Sequence, residues 1–104
     1  MSNDAQSADS LENAQIVRMT AFVHGYVQGV GFRWFTRAKA LELGLVGSAD
    51  NLRDGRVEII VEGRARACAQ LLAWLRSGQT PGTADSVVEQ ITMPRHDLKG
   101  FNER

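Results

Sequence analysis

From Ile16 onward, apolar and polar positions alternate: Val17, Met19, Ala21 and Val23 fall on one side of an extended chain and Arg18, Thr20, Phe22 and His24 on the other. A period of two marks a strand with one buried face, and this segment predicts β-structure. The glycine-rich stretch HGYVQGVGFRWF (24–35) follows. From Phe32 to Leu43 neither glycine nor proline interrupts a run containing Ala38, Ala40 and Leu41, which predicts a helix stopped by Gly44. At about 100° per residue, Phe32, Phe35 and Leu43 share one side and Trp34 and Leu41 another, so the pattern leaves open which aromatic is exposed.

LVGSADN (45–51) predicts a short, weak second strand and Asp54-Gly55 a hairpin turn, after which Val57, Ile59 and Val61 alternate with Glu58, Ile60 and Glu62 as a third strand. Residues 64–77 predict a second helix, from the spacing of Cys68, Leu71, Leu72 and Leu75, closed by Gly78. QTPGTADS (79–86) has loop composition, VVEQITM (87–93) predicts a fourth strand, and PRHDLKGFNER (94–104) an irregular end with a short edge strand around Phe101. The order strand, helix, strand, strand, helix, strand predicts an α+β, ferredoxin-like βαββαβ fold, with two helices on one face of a four-stranded antiparallel sheet. That architecture leaves the activity open.

Composition narrows the picture. A chain of 104 residues, 43% hydrophobic, supplies one modest core and predicts a single domain over 16–104. Residues 1–15 hold Asp4, Asp9 and Glu12 and no base, which predicts a solvated, disordered tail and leaves a charge of +3 on the rest of a chain that is neutral overall. That surplus is too weak for a dedicated nucleic-acid or membrane surface. Cys68 is the only cysteine, which rules out an internal disulfide and a cysteine-cluster metal site and suits a reducing compartment; the cytoplasm is the expected location and core filling the expected role. The start of the chain has neither the basic residues nor the apolar run of a secretory signal.

Candidate chemistry gathers where the first strand meets the first helix. The free N–H groups of a first helical turn attract anions. Gly25, Gly29 and Gly31 can adopt positive φ and turn loop N–H groups inward, and Arg33 at the helix entrance adds a planar fork for two phosphate oxygens. The stretch lacks a Walker lysine and the third glycine of a dinucleotide fingerprint, and a tight structural turn explains the glycines equally well. In a βαβ crossover the flanking strands run parallel, which puts Asn51, at the end of the second strand, on the same edge of the sheet as this loop. With the third strand between them the two lie two strand spacings apart, roughly 10 Å. Asn51 also suits the turn before LRDG in its own right.

GYVQGVGFR, followed by LGLVG, Asn51, DGRVE and Gly63, resembles the acylphosphatase family in order and spacing from His24 to Gly63, and more loosely from about residue 17 to Phe101. The resemblance implies hydrolysis of the carboxyl–phosphate bond of small acyl phosphates, with inorganic phosphate as product and competitive ligand. It places the essential arginine at Arg33, the essential asparagine at Asn51, and the phosphate-binding loop at Gly25, Tyr26, Val27, Gln28, Gly29, Val30, Gly31 and Phe32. No cofactor or metal is implied, and a monomer with no nucleic-acid or membrane partner is expected. A mixed anhydride has a good leaving group, so positioning a water in line and neutralising the phosphoryl oxygens suffices. His24, at the end of a strand, is left outside the site. Ser48, Ala49 and Asp50 depart from the family's usual bulky, apolar and polar or basic residues before the asparagine, and Asp50 puts a negative charge beside it.

Two other readings share the topology. A carbamoyl-phosphate-handling module resembling the N-terminal part of hydrogenase-maturation carbamoyltransferases would ordinarily sit in a longer chain with zinc fingers. A binding module is the other: RNA recognition wants aromatics that the third strand does not offer, and a copper carrier wants Cys-x-x-Cys in the first loop, although a non-catalytic phosphate binder stays open.

Overall fold

The computed structural model describes residues 13–104, and most of the tail predicted over 1–15 lies outside them. The elements are β1 (Ile16–Tyr26), α1 (Phe32–Glu42), β2 (Val46–Asn51), β3 (Val57–Arg64), α2 (Ala65–Leu75), β4 (Thr83–Thr92) and β5 (Phe101–Glu103). They build one sheet in the order β4-β1-β3-β2-β5. Both helices cover one face, α1 over β2 and β5, α2 over β3, β1 and β4.

The alternation of β1 and β3 decides the register. Antiparallel pairing sets Met19 opposite Val61, Ala21 opposite Ile59 and Val23 opposite Val57, and all six are fully buried beneath the helices. Ala49 of β2, Phe32 and Ala40 of α1, and Cys68, Leu71 and Leu75 of α2 complete this core. Phe32 is therefore the inward aromatic of α1, while Trp34 and Phe35 are about half exposed, so the predicted pairing of Phe32 with Phe35 on one face does not hold. The helix sits on the sheet through the narrower stripe Phe32, Thr36, Ala40, at i, i+4, i+8.

The sheet departs from the sequence reading at both of its edges. β4 begins at Thr83, inside the predicted loop, because a bulge between His24 and Gly25 lets the end of β1 pair on with Ala84 and Thr83. Phe101–Glu103 forms a fifth strand, but it runs parallel to β2, with Gly47 opposite Phe101 and Ala49 opposite Glu103; the sheet is mixed, not purely antiparallel.

The face away from the helices is pinned by a polar anchor. Glu62 Oε2 accepts from Arg18 Nη1 at 2.8 Å and from the Arg95 N–H at 2.9 Å, and Oε1 accepts from the His96 N–H at 3.0 Å. Arg18 and Glu62 are both buried. Burial opposes ionisation of Glu62, but these donors outweigh it and hold the carboxyl below its ordinary value. The anchor fastens the 93–100 connection on its way from β4 at one edge to β5 at the other.

Candidate active site

β3 lies between β1 and β2 and is antiparallel to both, so β1 and β2 run parallel and both end on the same edge of the sheet. Asn51 faces Val57, and Val57 faces Val23. Asn51 therefore stands level with the last turns of β1, two strand spacings away, as the crossover argument expects.

The loop between β1 and α1 is shaped by its glycines. Gly25, Gly29 and Gly31 all have positive φ, at 140°, 76° and 83°. Gly25 sits in the bulge, where a Cβ would collide with the Thr83 carbonyl oxygen, and Gly31 caps α1 in the left-handed region. Gly82 supports the loop from below: a Cβ there would strike the Tyr26 carbonyl and approach Val30 Cγ2 to 2.9 Å. The result is a recess of about 80 Å³ lined by Val27, Gly29, Gly31, Phe32, Arg33, Trp34 and Glu103.

The predicted residues divide. Val27, Gly29, Gly31, Phe32 and Arg33 line the recess. Gly25 and Tyr26 belong to β1 and pair with β4, Tyr26 with its ring largely exposed, and Val30 packs against the core. The Gln28 side chain turns the other way, its Nε2 donating to the carbonyls of Leu52 at 2.8 Å and Arg56 at 2.9 Å. That clamp joins the loop to the β2–β3 hairpin. Arg56 in turn braces the hairpin, its N–H 3.1 Å and its Nε 2.8 Å from the two Asp54 carboxylate oxygens, and the Arg56 N–H above all holds that carboxyl below its usual value.

Asn51 is exposed beside the recess and not part of its lining. It is joined to Arg33 through residue 104: the Arg104 main-chain oxygen accepts from Arg33 Nη1 at 2.6 Å and from the Asn51 N–H at 2.8 Å. The guanidinium and the Asn51 backbone are thus no further apart than those two bonds laid end to end. Arg33 keeps four of its five N–H donors clear of this contact. Arg104 also places its Nε 3.0 Å from Asp50 Oδ1, so the negative charge next to Asn51 is paired. Ser48 Oγ, by contrast, is buried and has no hydrogen-bond partner among the described residues.

Trp34, Glu103 and Arg104 are not among the site residues expected from the sequence. Adjacency to Arg33 was the one signal for Trp34, and for Glu103 and Arg104 only the apolar Phe101 marked the strand that delivers them.

The architecture is that of a ferredoxin-like α+β domain with a concave βα turn at one edge of its sheet. A model of the acylphosphatase family matches residues 19–103. An acylphosphatase of Thermobifida fusca is 65% identical over 88 residues, covering 85% of this chain and 97% of that protein. The crystal structure of acylphosphatase from Bacillus subtilis superposes with a TM-score of 0.78 at 27% identity, covering 85% of this chain and 98% of the other. Full-length HypF in its phosphate- and nucleotide-bound form matches with the same TM-score at 25% identity, but over only 12% of its own length. The chain belongs to the acylphosphatase family.

Proposed function

We propose that the domain hydrolyses small acyl phosphates at this edge of the sheet, with Arg33 and Asn51 as its catalytic residues. The supporting observation is the single Arg104 main-chain oxygen that accepts from both the Arg33 side chain and the Asn51 N–H. A guanidinium at a helix entrance beside the Asn51 backbone supports a shared rim for the two residues.

Under this reading the phosphoryl group sits in the recess, bound by Arg33 and by the N–H groups of the loop and the first turn of α1. The Asn51 amide is not basic, so it acts by orientation, its carbonyl accepting a hydrogen of the attacking water. The water oxygen forms the new P–O bond in line as the bond to the acyl oxygen breaks, the electron pair leaves on the carboxylate, and the water's proton passes to a phosphoryl oxygen. Arg33 and the amides are fixed before the reaction and take up charge without reorganising. The domain works as a cytoplasmic monomer without cofactor or metal, with inorganic phosphate as product and competitive ligand.

The test is hydrolysis of benzoyl phosphate by the wild-type chain, Arg33→Ala and Asn51→Ala, each with phosphate as competitor. Arg33→Ala is expected to raise the barrier by about 3 kcal/mol or more and to abolish phosphate inhibition. Asn51→Ala is expected to remove turnover while phosphate still binds. Equal loss of phosphate affinity in both variants would contradict this division of labour, and phosphate binding without turnover in the wild type would favour a non-catalytic module.

A further inference from the structure

Two residues that line the recess beside Arg33 and the loop glycines have no part in the phosphoryl binding described above. One is Trp34, 55% exposed, whose ring meets Phe35 edge-on at 4.9 Å and 80°. Phe35 lies beside Gly31, within 4.0 Å of where a Cβ would be, so the indole is backed by a ring seated on the loop itself. The other is Glu103, exposed on β5.

We propose that Trp34 and Glu103 form the acyl end of the site and set its substrate class: neutral, aromatic acyl phosphates are favoured, and those whose acyl group carries its own carboxylate are disfavoured. The proposal rests on the hydrolase reading above. An indole face or edge offers a flat apolar group an offset or edge-on contact that a methyl cannot match. A carboxylate lining the recess repels a second negative charge on the acyl group. Its repulsion of the phosphoryl group is common to every substrate and cancels in any comparison between them.

Three probes separate the two effects: acetyl phosphate, benzoyl phosphate and 4-carboxybenzoyl phosphate, assayed with the wild type, Trp34→Ala, Trp34→Phe and Glu103→Gln. Trp34→Ala is expected to lower the benzoyl-to-acetyl ratio of kcat/KM roughly two- to tenfold, mainly through KM, with Trp34→Phe restoring most of it. Glu103→Gln is expected to raise the 4-carboxybenzoyl-to-benzoyl ratio roughly two- to fivefold at low salt, a gain that shrinks as ionic strength rises. Because each readout is a ratio within one variant, a partial loss of folded protein cancels. Ratios unchanged from the wild type would overturn the acyl-end assignment alone, whereas a wild type that hydrolyses none of the three probes would remove the hydrolase reading beneath it.

Discussion

Replacing Gln28 by alanine tests how the proposed phosphate loop is held. Its Nε2 makes two hydrogen bonds, at 2.8 and 2.9 Å, to the Leu52 and Arg56 carbonyls. Truncation orphans neither acceptor, since Leu52 O still takes the Gly55 N–H at 3.2 Å and Arg56 O the Leu52 N–H at 2.8 Å. The loss should therefore stay near the net value of two part-buried bonds, about 1–2 kcal/mol, without the larger penalty of stranded polar atoms. For a domain of this size that corresponds to a fall in Tm of roughly 4–15 °C, read by a thermal melt. Phosphate competition should weaken alongside, because the loop loses its tie to the hairpin that follows Asn51. Gln28→Glu sharpens the argument: an ionised carboxylate would face two carbonyl oxygens, whereas the protonated acid can still donate to one. Its folded-state pKa would be raised, so the variant's stability is expected to be greatest below the ordinary glutamate value of about 4.3 and to decline as pH rises above it. A Gln28→Ala protein with unchanged Tm and unchanged phosphate inhibition would refute the clamp.

Glu62→Ala leaves the buried Arg18 guanidinium with only the exposed Asp97 carboxylate, at 3.6 Å, and is expected to cost about 3 kcal/mol by denaturant titration. Because the Glu62 carboxyl is held below its ordinary value of 4.5, its contribution is full above that pH and is lost as pH falls through the lower native value; Glu62→Gln should lack this part of the acid destabilisation. Burial first, and the Glu62 charge to a lesser degree, push the Cys68 thiol up to about 11, so a thiol reagent at pH 8 should label the chain only once it unfolds, and rapid labelling of the native protein would contradict its burial. Gly82→Ala, at φ 73° and against the Tyr26 carbonyl, should lower the Tm and weaken phosphate competition together, because the added methyl lifts the loop; a fall in Tm with phosphate competition intact would separate Gly82 from the site.

The fold was legible wherever a long segment carried one period. β1 and β3 alternate cleanly, and their pairing put Asn51 and the glycine loop on one edge, as the topology alone required. Thr83–Ser86 has the composition of a loop, and only the bulge at Gly25, invisible in a periodicity, recruits it into β4. Glu62 looks like a solvent-facing strand residue, and its burial follows from a connection that passes over it, an event that depends on residues more than 30 positions later. The glycines and Arg33 announced an anion site through their chemistry. Glu103 and Arg104 did not, because a three-residue strand has no pattern to read.

The link from Arg33 to the oxygen of residue 104 joins positions 71 apart in sequence. Loop closure over such a span comes late in folding, and β5 docks on β2 at the rim of a sheet whose centre can assemble without it. Refolding followed by enzymatic rate should accordingly lag behind refolding followed by backbone circular dichroism, making turnover a report on the last strand to arrive.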